Sequence, residues 1–126
     1  MTGYNVVIKE SSMELSKKER IAYKDTTNTQ SLDALTQDGN VLIEPVGYVI
    51  LGIHNEKADP TDYENYIVID KTGVRYRTGS QSFWNAFINI YEELADETEP
   101  WCITVYRRPS KNRQGKDFIT CSLETD

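Results

Sequence analysis

With 126 residues, 38% of them hydrophobic and 27% charged, the chain reads as one domain of ordinary size with a real but modest core. No apolar run is long enough to cross a membrane, and MTGYNVVIKESS lacks the basic-then-apolar pattern of a secretory signal, so a cytoplasmic protein is expected. A formal net charge of −6 counts against a general nucleic-acid binder, and one histidine, His54, counts against a His-based triad or a His-rich metal site.

Residues 1–12 read as an N-terminal arm or short strand, with 13–126 as the folded domain. Tyr4 to Lys9 is the strand-like part. Ser16 followed by Glu19 fits a capping box and suggests a short helix, with an irregular strand over 15–24 as the other reading. VLIEPVGYVILGI, residues 41–53, is a long β-rich run containing Pro45, Gly47 and Gly52. Proline cannot donate to a ladder and glycine marks bends, so this strand should curve and switch partners. HNEKADPTDYE follows as a polar loop.

NYIVIDKTGVRYRT, residues 65–78, reads as a hairpin turning at Asp70-Lys71-Thr72-Gly73. Arg75 and Arg77 alternate with Val74, Tyr76 and Thr78, and two arginines on one face suggest a solvent or ligand face. Ser80 or Ser82 is the expected N-cap of a helix. Phe83, Phe87, Ile90 and Leu94 recur at helical spacing on one side of it, and Trp84 and Trp101 read as core rings. Acids from Glu92 to Glu99 crowd its C-terminal end, where they oppose the helix dipole. WCITVYRR (101–108) and DFITCSL (117–123) close the chain as two strands. Cys102 and Cys121 lie inside them and read as reduced, buried thiols.

The order is therefore β-β-β-α-β-β: mainly β with one helix, the order of an OB-fold, a five-stranded Greek-key barrel with its helix between strands 3 and 4. Such barrels bind ligands on strands 2 and 3 and through the loops joining strands 1–2 and 4–5. The 4–5 loop lies in the stretch YRRPSKNRQGKDF. Residues 103–116 hold five bases, Arg107, Arg108, Lys111, Arg113 and Lys116, and no acid. Local charge within a Debye length of about 8 Å is what a bound strand feels, and here its sign is opposite to that of the whole chain.

Binding single strands without sequence choice needs cations for the phosphates and flat rings for the bases. The candidate cations are Lys71, Arg75, Arg77, Arg107, Arg108, Lys111, Arg113 and Lys116. The candidate rings are Tyr48, Tyr66, Tyr76, Tyr106 and Phe118. The bland readings are a solvated basic turn, arginines paired across the sheet and tyrosines at the edge of the core. Asp59, Asp62 and Glu64 only loosely suggest a metal cluster and lack EF-hand spacing. No catalytic residue, metal or cofactor is expected, and the protein is not expected to be an enzyme.

KERIAYKDTTNTQSLD (18–33), TGSQSFWNAF (78–87) and KNRQGKDFITCSL (111–123), in that order, resemble the small single-stranded DNA-binding proteins of phages and conjugative plasmids of Gram-positive bacteria. The resemblance implies an OB-fold that coats single-stranded DNA during replication or transfer. It implies Arg75, Tyr76 and Arg77 on the binding face, and Lys111, Arg113 and Lys116 in the loop over the strand. The expected partner is single-stranded DNA, with RNA left open and no membrane. Residues 1–12 are the candidate for self-association along an exposed strand edge. The competing reading is a protein-interaction or DNA-mimic module that uses its acidic face.

Overall fold

The computed structural model describes residues 3–109 and 117–124, without the Thr26 side chain. The protein is mainly β. Its strands among the described residues fall into two open sheets rather than a closed barrel. Chain contacts separate two compact units, 1–30 with 46–79, and 31–45 with 80–126.

The first unit begins with β1 (Tyr4–Ser11) and α1 (Lys17–Lys24), followed by a 3-10 turn (Thr26–Asn28). The capping box closes as its sequence suggests. The Ser16 hydroxyl accepts the Glu19 amide at 3.2 Å, and the Ser16 amide donates to Glu19 Oε1 at 2.9 Å. Those two bonds satisfy two of the donors left orphaned at a helix start, which decides for helix over strand.

The long β-rich run divides at Glu44 into β3 (Val41–Ile43) and β4 (Pro45–Asn55), which pair in different sheets. The expected change of partners occurs at the proline, the one residue with no amide to donate. β5 (Asp62–Asp70) begins inside the stretch expected as a loop, and β6 (Arg75–Thr78) returns beside it. Asp70 shapes the connection: its Oδ1 accepts the Thr72 amide at 2.8 Å and the Thr72 hydroxyl at 2.7 Å. Gly73 sits at φ +93°, a conformation that glycine adopts without steric penalty. With the two-residue β2 (Gln30–Ser31), the sheet runs β1-β4-β5-β6-β2.

Alternation along β4 puts Val49, Leu51 and Ile53 on one face. They join Tyr23, Ile67 and Ile69 in the core of this unit. Burying each such aliphatic side chain is worth about 1.5–3 kcal/mol.

The second unit contains α2 (Leu32–Leu35), β3, α3 (Gln81–Leu94), β7 (Ile103–Pro109) and β8 (Asp117–Leu123). Its sheet runs β3-β7-β8, all antiparallel. Ser80 is the N-cap of α3 and accepts the Phe83 amide at 3.2 Å. The Ser80 and Ser82 hydroxyls both donate to the Ile119 carbonyl, at 3.3 and 2.8 Å, fixing the helix start to β8. Phe83 and Phe87 are fully buried and stacked 5.7 Å apart, and Trp84 lies against Phe87 at 5.4 Å. The ring chain continues through Tyr91 to the half-buried Trp101. Cys121 is buried as expected, whereas Cys102 is only half-buried, and neither is in a disulfide.

Candidate nucleic-acid interface

In an antiparallel pair, directly opposed residues share a face and successive residues alternate. In the second unit, β7 and β8 oppose Thr104 to Ser122, Tyr106 to Thr120 and Arg108 to Phe118. Leu42 on β3 opposes Thr104. These residues form one face of the three-stranded sheet. Ile43, Ile103, Val105, Ile119 and Cys121, all buried, form the other.

The first face is open. Arg108 and Ser122 are exposed, Phe118 is 37% exposed and Leu42 60%. Tyr106 is half-buried, and its hydroxyl meets Ser122 Oγ at 2.8 Å, which fixes the ring across the strand pair. Thr104 donates to Glu124 at its far end. One side of the sheet thus carries two rings, a guanidinium and an exposed leucine. Lys111, Arg113 and Lys116 belong to the connection between β7 and β8 and lie outside the described residues.

Arg107 is different. It lies on the core side of β7, opposite the buried Ile119. Its Nε donates to Thr36 Oγ1 at 3.1 Å and its Nη2 to the Asp33 carbonyl at 2.5 Å. Expected as a phosphate contact, it instead ties α2 to the strand.

In the first unit the two arginines expected on a solvent or ligand face lie elsewhere. Arg77 opposes Ile67 and Arg75 opposes Ile69, so the arginine face is the face of two buried isoleucines and not a free solvent face. Both arginines are half-buried with internal partners. The Arg75 guanidinium lies 4.3 Å from the Tyr23 ring centroid, and Arg77 Nε donates to Thr29 Oγ1 at 2.9 Å. Aromatic cover on one and a hydroxyl on the other let cations stand beside a core, which polar alternation alone does not reveal.

Tyr66 is 2% exposed and offers no ring to a base. Tyr76 shares its face with Val68 and is half-buried; burial first, and the Asp70 charge second, push its hydroxyl above the usual range. Tyr48 is half-buried and donates to Glu10 Oε2 at 2.6 Å. Lys71 is exposed in the β5–β6 turn.

A groove of about 460 Å³ crosses β1, β4 and β5 in the first unit. The Lys9 stem lies over Gly52, where a Cβ would come within 2.9 Å of Lys9 Cδ, and its ammonium meets Glu64 Oε2 at 2.6 Å. His54 Nδ1 lies 2.7 Å from Asp62 Oδ1. Asp62 and Glu64, read loosely in sequence as metal ligands, have these partners instead. Among the described residues no cluster of three His, Cys, Asp or Glu could hold a metal ion.

The Leu42–Tyr106–Arg108–Phe118 face is a candidate site that is legible in the sequence only in part. Tyr106, Arg108 and Phe118 were candidates by type, but Leu42 was missed because its partner in the sheet is far away in the chain. No protein-family model, curated protein or solved structure matches the chain.

Proposed function

We propose that this protein binds single-stranded DNA without strong sequence preference, as the coating proteins of phages and conjugative plasmids do in replication or transfer. The observation that carries the reading is the open face of β3-β7-β8, where Tyr106 and Phe118 flank the cation of Arg108. Rings take bases by stacking and a guanidinium takes phosphate, so one sheet face supplies both halves of sequence-tolerant binding. The adjoining residues 110–116 add Lys111, Arg113 and Lys116 by sequence. Arg75 and Arg77 contribute less, because each already has an internal partner.

We further propose that the fold is a partly open OB-fold. The strand pairings support this. A long strand, divided at Glu44, pairs with β5 at one end and with β7 at the other. β5–β6 and β7–β8 are hairpins, and α3 lies between β6 and β7. Taking the divided strand as strand 1 gives the neighbours 1-2-3 and 1-4-5 of that fold.

Titration with oligo-dT of increasing length, at two salt concentrations, tests the reading. Fluorescence should be quenched, and affinity should fall steeply with salt as counterions are released. No quenching and no gel shift at low salt would end it.

A further inference from the structure

The buried stripe of α3 outruns its cover. Phe83 and Phe87 are fully buried, but Ile90 and Leu94, one and two turns further on, are only half-buried. Beside them Leu123, at the end of β8, is 40% exposed. Asn89, Ile90, Glu93, Leu94 and Leu123 line a mainly apolar groove of about 360 Å³. That volume is at the lower end of the range for binding pockets, enough for a small group of apolar side chains.

Glu93 is the charged residue among those lining the groove, and the sequence on either side of it is acidic. Residues 78–106 contain five acids, Glu92, Glu93, Asp96, Glu97 and Glu99, and no base, and Glu124 follows Leu123. None of these six takes part in the ion pairs seen among the described residues. The five on or just after α3 are also at the wrong end of the helix, where negative charge opposes the dipole. A cationic partner would relieve both repulsions. Phosphate would be repelled, so the groove does not suit DNA.

We infer that the groove at Ile90, Leu94 and Leu123 docks a short protein segment in which apolar residues are flanked by lysine or arginine. The apolar side chains fill the groove and the cations meet Glu93 and its neighbours. This face is separate from the Tyr106–Arg108–Phe118 face, because Leu123 opposes Ile103 on the other side of the sheet. The inference does not depend on DNA binding.

The probe is a short labelled peptide of alternating leucine and lysine, with serine–lysine and leucine–glutamate counterparts, followed by fluorescence anisotropy. The leucine–lysine peptide should bind, more weakly at high salt. The serine–lysine peptide should bind about tenfold more weakly or worse, which is what burial of one leucine is worth. The leucine–glutamate peptide should not bind. Leu123→Ser and Glu93→Lys should each lower affinity for the leucine–lysine peptide severalfold or more while leaving the circular dichroism spectrum and oligo-dT binding unchanged. Equal binding of the serine–lysine peptide, or undiminished binding to folded Leu123→Ser, would overturn the assignment. So would a concentration-dependent dimer in sedimentation that Leu123→Ser dissolves, since the occupant would then be a second copy of this chain.

Discussion

Arg107 and Arg108 are neighbours in the chain and lie on opposite faces of β7. Arg107 stands opposite Ile119 and holds the Asp33 carbonyl and the Thr36 hydroxyl, whereas Arg108 stands opposite Phe118 and is exposed. Two adjacent cations of one basic stretch therefore stand in separate environments, and the proposed function gives them separate roles. Arg107→Ala should lower stability by about 1.5–3 kcal/mol, the worth of hydrogen bonds from a charged donor. Its effect on oligo-dT affinity should be small once the variant is folded. Arg108→Ala should do the reverse, leaving the melting temperature nearly unchanged and reducing the slope of log K against log salt by about one phosphate contact. Thermal melts and salt titrations of both variants separate the two roles. The assignment fails if Arg107→Ala abolishes binding while the fold stays intact.

The aromatic candidates divide in the same way. Phe118 is partly exposed on the open face, while Tyr66 is in the core. Phe118→Ala should weaken oligo-dT binding roughly 5- to 150-fold, equivalent to about 1–3 kcal/mol for one stacked base. Tyr66→Ala should instead cost stability of roughly 3–5 kcal/mol, as large-to-small aromatic changes in cores do. Urea melts set beside binding isotherms would distinguish loss of a platform from loss of a fold.

Local patterns in the sequence were sufficient where the determinant itself was local. The Ser16–Glu19 capping box, the Ser80 N-cap, the Gly73 turn and the break before Pro45 all depend on residues within a few positions of one another, and all are present. The face of a strand depends instead on its partner. The arginines of β6 read as solvent-facing because their neighbours in sequence alternate with them. What decides their place is the register with Ile67 and Ile69, and Tyr23 on a distant helix. Leu42 was passed over for the same reason. The β7–β8 alternation is legible where the pattern is unmixed, with Ile103, Val105, Ile119 and Cys121 all on one side, and it misleads at Arg107, a cation on that same side.

His54 should make stability depend on pH near neutrality. Its hydrogen bond to Asp62 is the largest cause of a pKa raised above the usual 6.5, and Glu56 adds to it. The folded state therefore favours the charged imidazole. That contribution is fully present below pH 6.5 and is lost as pH rises through the higher folded value. At the acid end the sign reverses. Glu19, held low by the Ser16 amide, Asp25, held low by the Thr27 hydroxyl, and Glu64, held low by Lys9, add stability above their ordinary values of 4.5, 3.8 and 4.5 that is lost as pH falls. An NMR titration should give His54 a pKa above 6.5, and Asp62→Asn should bring it back down and flatten the neutral limb of the melting curve. An unshifted His54 would contradict the ion pair.

The two thiols should differ sharply in reactivity. Cys121 is 5% exposed on the core face of β8, and burial pushes its thiol up to about 12, so almost none is thiolate at neutral pH. Cys102 is half-buried just before β7, its carbonyl bonded to the Glu124 amide at 2.8 Å. An aromatic disulfide reagent at pH 8 should modify one thiol of the native protein at a measurable rate and the second only on unfolding. Peptide mapping should assign the first to Cys102. Cys121→Ser would replace a buried weak donor with a hydroxyl that needs a partner, so it should destabilise more than Cys102→Ser does. Equal rates for both thiols in the folded protein would mean that β8 detaches from β7 far more readily than its seven paired positions suggest.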